Sequence, residues 1–297
     1  MISKRILPLL LGIGIIATGC SKEPAIDYGD REFISKPYLE TASDQGESWI
    51  TFNTEESRMV FGRHDEGWTN HVLYERVWNE NAWSEAAVMP FSGTYNDRAA
   101  RFYPALDAML FSSDRPVSES DQAGDFNLWI AMHDGESWLD PEPLTALNTD
   151  ANDFHGSVAA DGSIYFASDR EGGQGKSDLY HAVLGREGYV VTPVQGAVNT
   201  EYSESDVYID QDSRFMIFSR TDDPAGFGGD DLWISFPSEN GWGEAINLGP
   251  EVNTSEGEYG ATVAMDEVNL FFTSHKNGQA DIFRTFMNKL VVDWPLN

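Results

Sequence analysis

The sequence predicts an all-β chain folded as a single β-propeller of five four-stranded blades, closed on itself by an N-terminal strand. Three observations predict it. An apolar segment ending in phenylalanine recurs five times, at Phe61, Phe111, Phe166, Phe218 and Phe272, with spacings of 50, 55, 52 and 54 residues. Two aromatic residues stand nine positions apart in four of the five copies. The 27 glycines and 12% aromatic residues, without long apolar helical patterns, suit a many-turned β fold.

The strands of a copy follow from this frame. The innermost is read at Trp49–Phe52, Ala100–Tyr103, His155–Val158, Val207–Ile209 and Ala261–Val263. The second is the apolar segment ending in phenylalanine, where alternation along the strand buries one set of side chains. A polar turn follows it, best formed at Ser113-Asp114-Arg115 and Ser168-Asp169-Arg170. The third strand carries an aromatic near its start: Tyr74, Trp129, Tyr180, Trp233 and Phe283. Nine residues later another aromatic opens a fourth strand in four copies, at Trp83, Trp138, Tyr189 and Trp242. That constant offset fits a short hairpin, for which Asp134-Gly135 and Asn240-Gly241 supply turn residues. Leu147-Asn148-Thr149, Val198-Asn199-Thr200 and Val252-Asn253-Thr254 recur as linkers between blades.

The Phe-x-Ser-Asp-Arg turn followed by Asp-Leu-Trp or Asp-Leu-Tyr resembles the WD-like propeller repeats of the TolB type. The match is best from Phe111 to Trp129 and from Phe166 to Tyr180, and weaker at Arg63-His64 and His275-Lys276. It covers roughly residues 45 to 287 and implies a propeller fold; TolB-like propellers dock partners on one face, but the repeat is specific for fold and that function does not follow from it. The repeats lie near 47–93, 94–150, 151–200, 201–254 and 255–297. The fifth copy lacks the late aromatic, so its outer strand is expected from Phe33–Leu39, which would remove an exposed sheet edge. Leu290–Trp294 is the rival segment.

The N-terminal residues read as processing signals. Lys4 and Arg5 precede an apolar run that is too short for a membrane span, so residues 1–19 are expected to be a signal peptide. Ala17-Thr18-Gly19-Cys20 resembles a bacterial lipobox, which implies lipidation at Cys20, a tether over residues 20–32 and the propeller over 33–297. Cys20 is the single cysteine, so no internal disulfide can form, and acylation would remove a free thiol. Ser21 after that cysteine, where an inner-membrane protein of this kind has Asp, places the expectation at the outer membrane, facing the periplasm. A formal net charge of −30 argues against nucleic-acid partners.

Candidate chemistry centres on a ring. Fourteen residues before each phenylalanine stands Glu47, Asp97, Asn152, Glu204 or Glu258, expected around one mouth of the central channel. Such a ring could bind a cation or a cationic partner group, or it could consist of turn residues satisfying backbone amides. Arg98, Asp153, His155 and Asp206 are the neighbouring polar residues of interest. Gly-rich acidic loops admit Ca²⁺, although none has an EF-hand spacing. The residues themselves support two functions. One is a non-enzymatic envelope module binding a protein or glycan. The other is a glycan-active hydrolase using two carboxylates at the channel mouth.

Overall fold

The structure, a computed structural model, describes residues 37–39, 45–65, 67–103, 106–118 and 124–290. Cys20, the signal segment, Phe33–Lys36 and the rival closing residues 291–294 lie outside them. Five antiparallel sheets surround a central axis. Their inner strands are Gly46–Phe52, Asp97–Tyr103, Asp153–Val158, Ser203–Ile209 and Glu258–Val263. Each touches the next, and the fifth touches the first, so the ring is closed. The second and third strands pair in sequence order within every blade.

The recurring phenylalanines build the core. Phe61, Phe111, Phe166, Phe218 and Phe272 are fully buried. Five apolar clusters lie between successive blades. One joins Phe111 to Val60 and Leu73 of the preceding blade, and another joins Phe218 to Tyr165 and Leu179. The hydrophobic effect therefore acts mainly between sheets, and no blade can bury its faces alone.

The linkers do two tasks. Asn148, Asn199 and Asn253 each accept a hydrogen bond from the backbone N–H of Leu128, Leu179 or Leu232 and donate one to the same residue's carbonyl. The threonines that follow cap the next blade's inner strand, as described below.

The outer edge differs from expectation. In blade 3 the fourth strand, Gly188–Pro193, starts at the aromatic Tyr189 as predicted. In blades 1 and 4 the aromatic closes a small hairpin, Trp78 with Trp83 and Pro237 with Trp242. The chain then rejoins the sheet as a two-residue strand, Ala87–Val88 or Ile246–Asn247. Short edges of this kind offer little template for pairing with another chain.

Blade 5 has three assigned strands, Glu258–Val263, Asn269–Ser274 and Asp281–Phe286. On its outer edge the Tyr38 N–H donates to the carbonyl of Ile282 at 2.6 Å. The same bond joins Met89 to Leu73, Leu144 to Leu128, Val194 to Leu179 and Leu248 to Leu232 in the other blades. Leu39 packs beside it against Ile50, Met59 and Ile282. The N-terminal segment thus occupies the fourth-strand position of the last blade.

Candidate functional site at the channel mouth

The repeated carboxylates face into their own blades. Glu47, Asp97, Glu204 and Glu258 are buried, each on an inner strand. Arg63 pairs with Glu47 at 2.9 Å, Arg115 with Asp97, Arg170 with Asp153 and Arg220 with Glu204 at 2.8 Å. Each guanidinium also lies over the blade's aromatic pair, as Arg220 does over Phe218 and Trp233. In blade 5 Lys276 lies 3.6 Å over the Phe283 ring and is attracted to Glu258. Thr149, Thr200 and Thr254 donate backbone N–H and hydroxyl bonds to Asp153, Glu204 and Glu258. Burial pushes the carboxyls of Asp97, Glu204 and Glu258 up, and their cations and hydroxyls oppose it. The ring expected to bind an external cation is satisfied from within the chain.

Asn152 requires a correction. The ring residue of blade 3 is Asp153, which pairs across the hairpin with Ser168 as Asp97 pairs with Ser113. The third inner hairpin is one residue shorter: Ala159 bonds back to Ser163, whereas Asp210 bonds to Phe215 and Ala264 to Asn269. Counting back from Phe166 therefore lands one residue early. Asn152 instead donates its backbone N–H and side-chain N–H to Asp169, as Asn96 does to Asp114.

A bulge two residues further along every inner strand supplies the true axial set. Trp49, Ala99, His155, Asp206 and Gly260 all have positive φ, from 50° to 65°, at equivalent positions. This backbone state turns each residue towards the axis. Gly260 is required there, since a Cβ would approach Trp49 Cδ1 to 2.8 Å. Trp49 reaches across the axis, and its indole N–H donates to Asp206 Oδ1. His155 Nδ1 lies 3.2 Å from Asp206 Oδ2, poorly aligned for a hydrogen bond, and Ser205 Oγ donates to that oxygen at 3.3 Å. Below them Arg101 plugs the axis by donating to Ile50 O, Thr262 Oγ1 and Ala261 O.

These groups have distinct electrostatics. Burial lowers the affinity of His155 for its second proton more than Asp206 raises it. Burial alone would raise the Asp206 carboxyl, but His155, the Trp49 N–H and Arg101 outweigh it and hold Asp206 below the usual range. Asp230 opens the third strand of the same blade, Asp230–Ser235, and accepts a hydrogen bond from Thr221 Oγ1. Burial pushes its carboxyl up, and the charges of Asp206, Asp222 and Asp231 add to the rise.

Aromatic and imidazole rings surround the mouth. Trp68 is 39% exposed and stacks between His64 at 4.1 Å and His275 at 5.3 Å. Tyr259 packs against Trp49 and Trp68 at 5.3 and 6.0 Å. Arg98 lies 3.6 Å over the Phe126 ring. Of the sequence-derived residues, Arg98, His155 and Asp206 meet here, whereas Glu47, Asp97, Asp153, Glu204 and Glu258 serve the blades. Trp49, Trp68, Tyr259, Phe126 and Asp230 were missed. The available signal was the axial column itself, which shares no chemistry from copy to copy. Among the described residues no group of three or more His, Cys, Asp or Glu is arranged to hold a metal ion.

No family model matches the sequence, and no curated protein does. Solved structures share the fold. A thermostable family-43 glycoside hydrolase superposes with a TM-score of 0.56 at 11% identity, covering 84% of this chain and 92% of that one. An α-L-arabinofuranosidase from Lactobacillus brevis gives 0.54 at 9% identity over 85% and 97%. An endo-arabinanase of the same family from Bacillus licheniformis gives 0.51 at 10% identity over 83% and 95%. At such identities the likeness is one of fold. The expectation of a non-enzymatic module binding an envelope protein or ligand is corrected by these comparisons: the three rings that superpose here over most of both chains are those of glycoside hydrolases.

Proposed function

We propose that the chain is a glycan-active hydrolase whose reacting centre lies at the channel mouth, with Asp206 as the ionised carboxylate and Asp230 as the proton donor. One observation carries this reading: the bulge of the fourth inner strand sets Asp206 at the mouth against the Trp49 indole N–H, with Asp230 on the third strand of the same blade near enough to feel its charge. Asp206 is held down and Asp230 is pushed up. Divergent environments of this kind assign acid and base roles to a pair of like groups. The five-bladed fold shared with family-43 glycoside hydrolases supports it. So does Trp68, an aromatic residue 39% exposed at the mouth.

In this reading Asp230 gives its proton to the glycosidic oxygen as the bond from that oxygen to the anomeric carbon breaks. Water supplies the oxygen of the new bond and passes a proton to Asp206. Trp49, His155 and Ser205 fix the Asp206 carboxylate and favour its ionised form. The test is release of reducing ends from arabinan, xylan and uronate-containing polysaccharides. Asp206→Asn and Asp230→Asn should each lower kcat by about 10²–10⁴-fold. Absence of release from every polymer, or unchanged rates in both variants, overturns the proposal.

We also infer that Cys20 anchors the hydrolase to the cell envelope, where glycan polymers are at hand. Cys20→Ala should move the protein from the membrane fraction to the soluble fraction, and continued tight membrane association would refute the anchor.

A further inference from the structure

Arg98 is the unspent cation of the mouth. The guanidinium groups of Arg63, Arg115, Arg170 and Arg220 are each committed to a carboxylate of their own blade. Arg98 follows Asp97 on the inner strand of blade 2 and is only half-buried. Its guanidinium rests on the face of Phe126, and Nε is shielded from solvent without a hydrogen-bond partner among the described residues.

The groups able to accept from it are already occupied. Asp206 accepts from Trp49 Nε1 on one oxygen and from Ser205 on the other, which also faces His155. Asp114 accepts the backbone N–H of Asn96 at 2.9 Å and its side-chain N–H at 2.6 Å. The Tyr259 hydroxyl lies 3.3 Å from His275 Nε2. All three groups influence Arg98 through space, and none is hydrogen-bonded to it. A guanidinium carries five N–H donors in a planar fork that matches a carboxylate, and a shielded donor left unmade is costly. Stacking on Phe126 keeps the fork flat and in place. In a chain with net charge −30, a cation kept without a hydrogen-bonded acceptor among the described residues of this mouth calls for an anionic ligand.

We propose that Arg98, seated on Phe126, is the acid-recognition element of the mouth, and that the glycan it takes carries a sugar carboxylate, as in a uronic-acid-containing oligosaccharide. This rests on the glycan reading of the mouth and names its substrate class. The carboxylate would replace the missing acceptor and place the neighbouring residue of the glycan over Trp68 and Asp206.

The experiment is titration calorimetry on the full chain carrying Asp206→Asn, which scores binding without turnover. The probes are oligomers of galacturonic, glucuronic and mannuronic acid, each with its uncharged methyl-esterified counterpart. At least one acidic oligomer should bind at least about ten-fold more tightly than its ester. Adding Arg98→Gln should abolish that preference, and Arg98→Lys should restore part of it, since the charge remains while the fork is lost. An unchanged thermal midpoint identifies variants that fold. Equal binding of acid and ester, no binding of any acidic oligomer, or full preference retained in folded Arg98→Gln overturns the proposal. Acid-selective binding without any hydrolysis by the wild-type chain would leave it standing while removing the hydrolase reading.

Discussion

At the scale of the residue, one carboxylate type serves two ends. Glu47, Asp97, Asp153, Glu204 and Glu258 repeat because each blade needs an anion to hold its cation over an aromatic pair. Asp206 stands two positions away from Glu204 and does not repeat, because it answers to Trp49 and His155 from other blades. The difference can be measured. Asp153→Ala strands the Arg170 guanidinium against the ring stack and should cost about 3 kcal/mol in unfolding free energy. Asn152→Ala keeps its backbone bond to Asp169, loses the side-chain bond to Asp169 and the acceptor of the Phe126 N–H, and should cost about 1 kcal/mol. Denaturant titration of the two variants checks the assignment, and equal losses would return Asn152 to the ring. The repeat was legible in the sequence, but a spacing count could not tell position 152 from 153.

At the scale of the element, the inner hairpin decides what reaches the mouth. A bulge in each inner strand breaks the alternation of side chains and turns one residue per blade towards the axis. Periodicity reads the strand as apolar and alternating, so it passes over a residue displaced by its own backbone. Polarity alone therefore marks His155 and Asp206, whereas Trp49 is also the first residue of an apolar strand pattern. The one-residue-shorter turn between the first two strands of blade 3 has the same character, since turn length changes register without leaving a composition signal. Outer strands are the least regular elements, and the aromatic expected to open them more often closes a hairpin of its own.

At the scale of the whole molecule, ring closure and charge act together. Tyr38 and Leu39 join the last blade to residues near the start of the chain, so the first and last blades are locked by a segment from the opposite end. Closure also gathers His64, His71, His155 and His275 at one end, and burial lowers the proton affinity of each, that of His71 to about 3. Their unfolded counterparts titrate near pH 6.5. The unfolded chain therefore binds more protons below that pH, and the stability these residues allow is present above about 6.5 and falls as the pH drops towards their folded values. The thermal midpoint should decrease between about pH 6.5 and 5, before most carboxylates titrate. A midpoint that is flat or rising across that window would show that the four histidines are not buried together as described. Asp206, held low, adds its own loss at more acidic pH.

The sequence by itself determined that the chain is all-β, that it has five blades and where their phenylalanine cores fall. These follow from local patterns that every copy must satisfy to bury its faces. Only the tertiary structure decided which residues share the mouth, because Trp49, Arg98, His155, Asp206 and Tyr259 come from five different blades and meet through ring closure and a backbone bulge. It also reassigned the repeated carboxylates from a ligand site to internal pairs, since a cation two to four residues beyond each phenylalanine folds back onto them. Repetition reports what each blade requires for its own stability. Function must be sought where the copies differ, and only the closed ring brings those differences into contact.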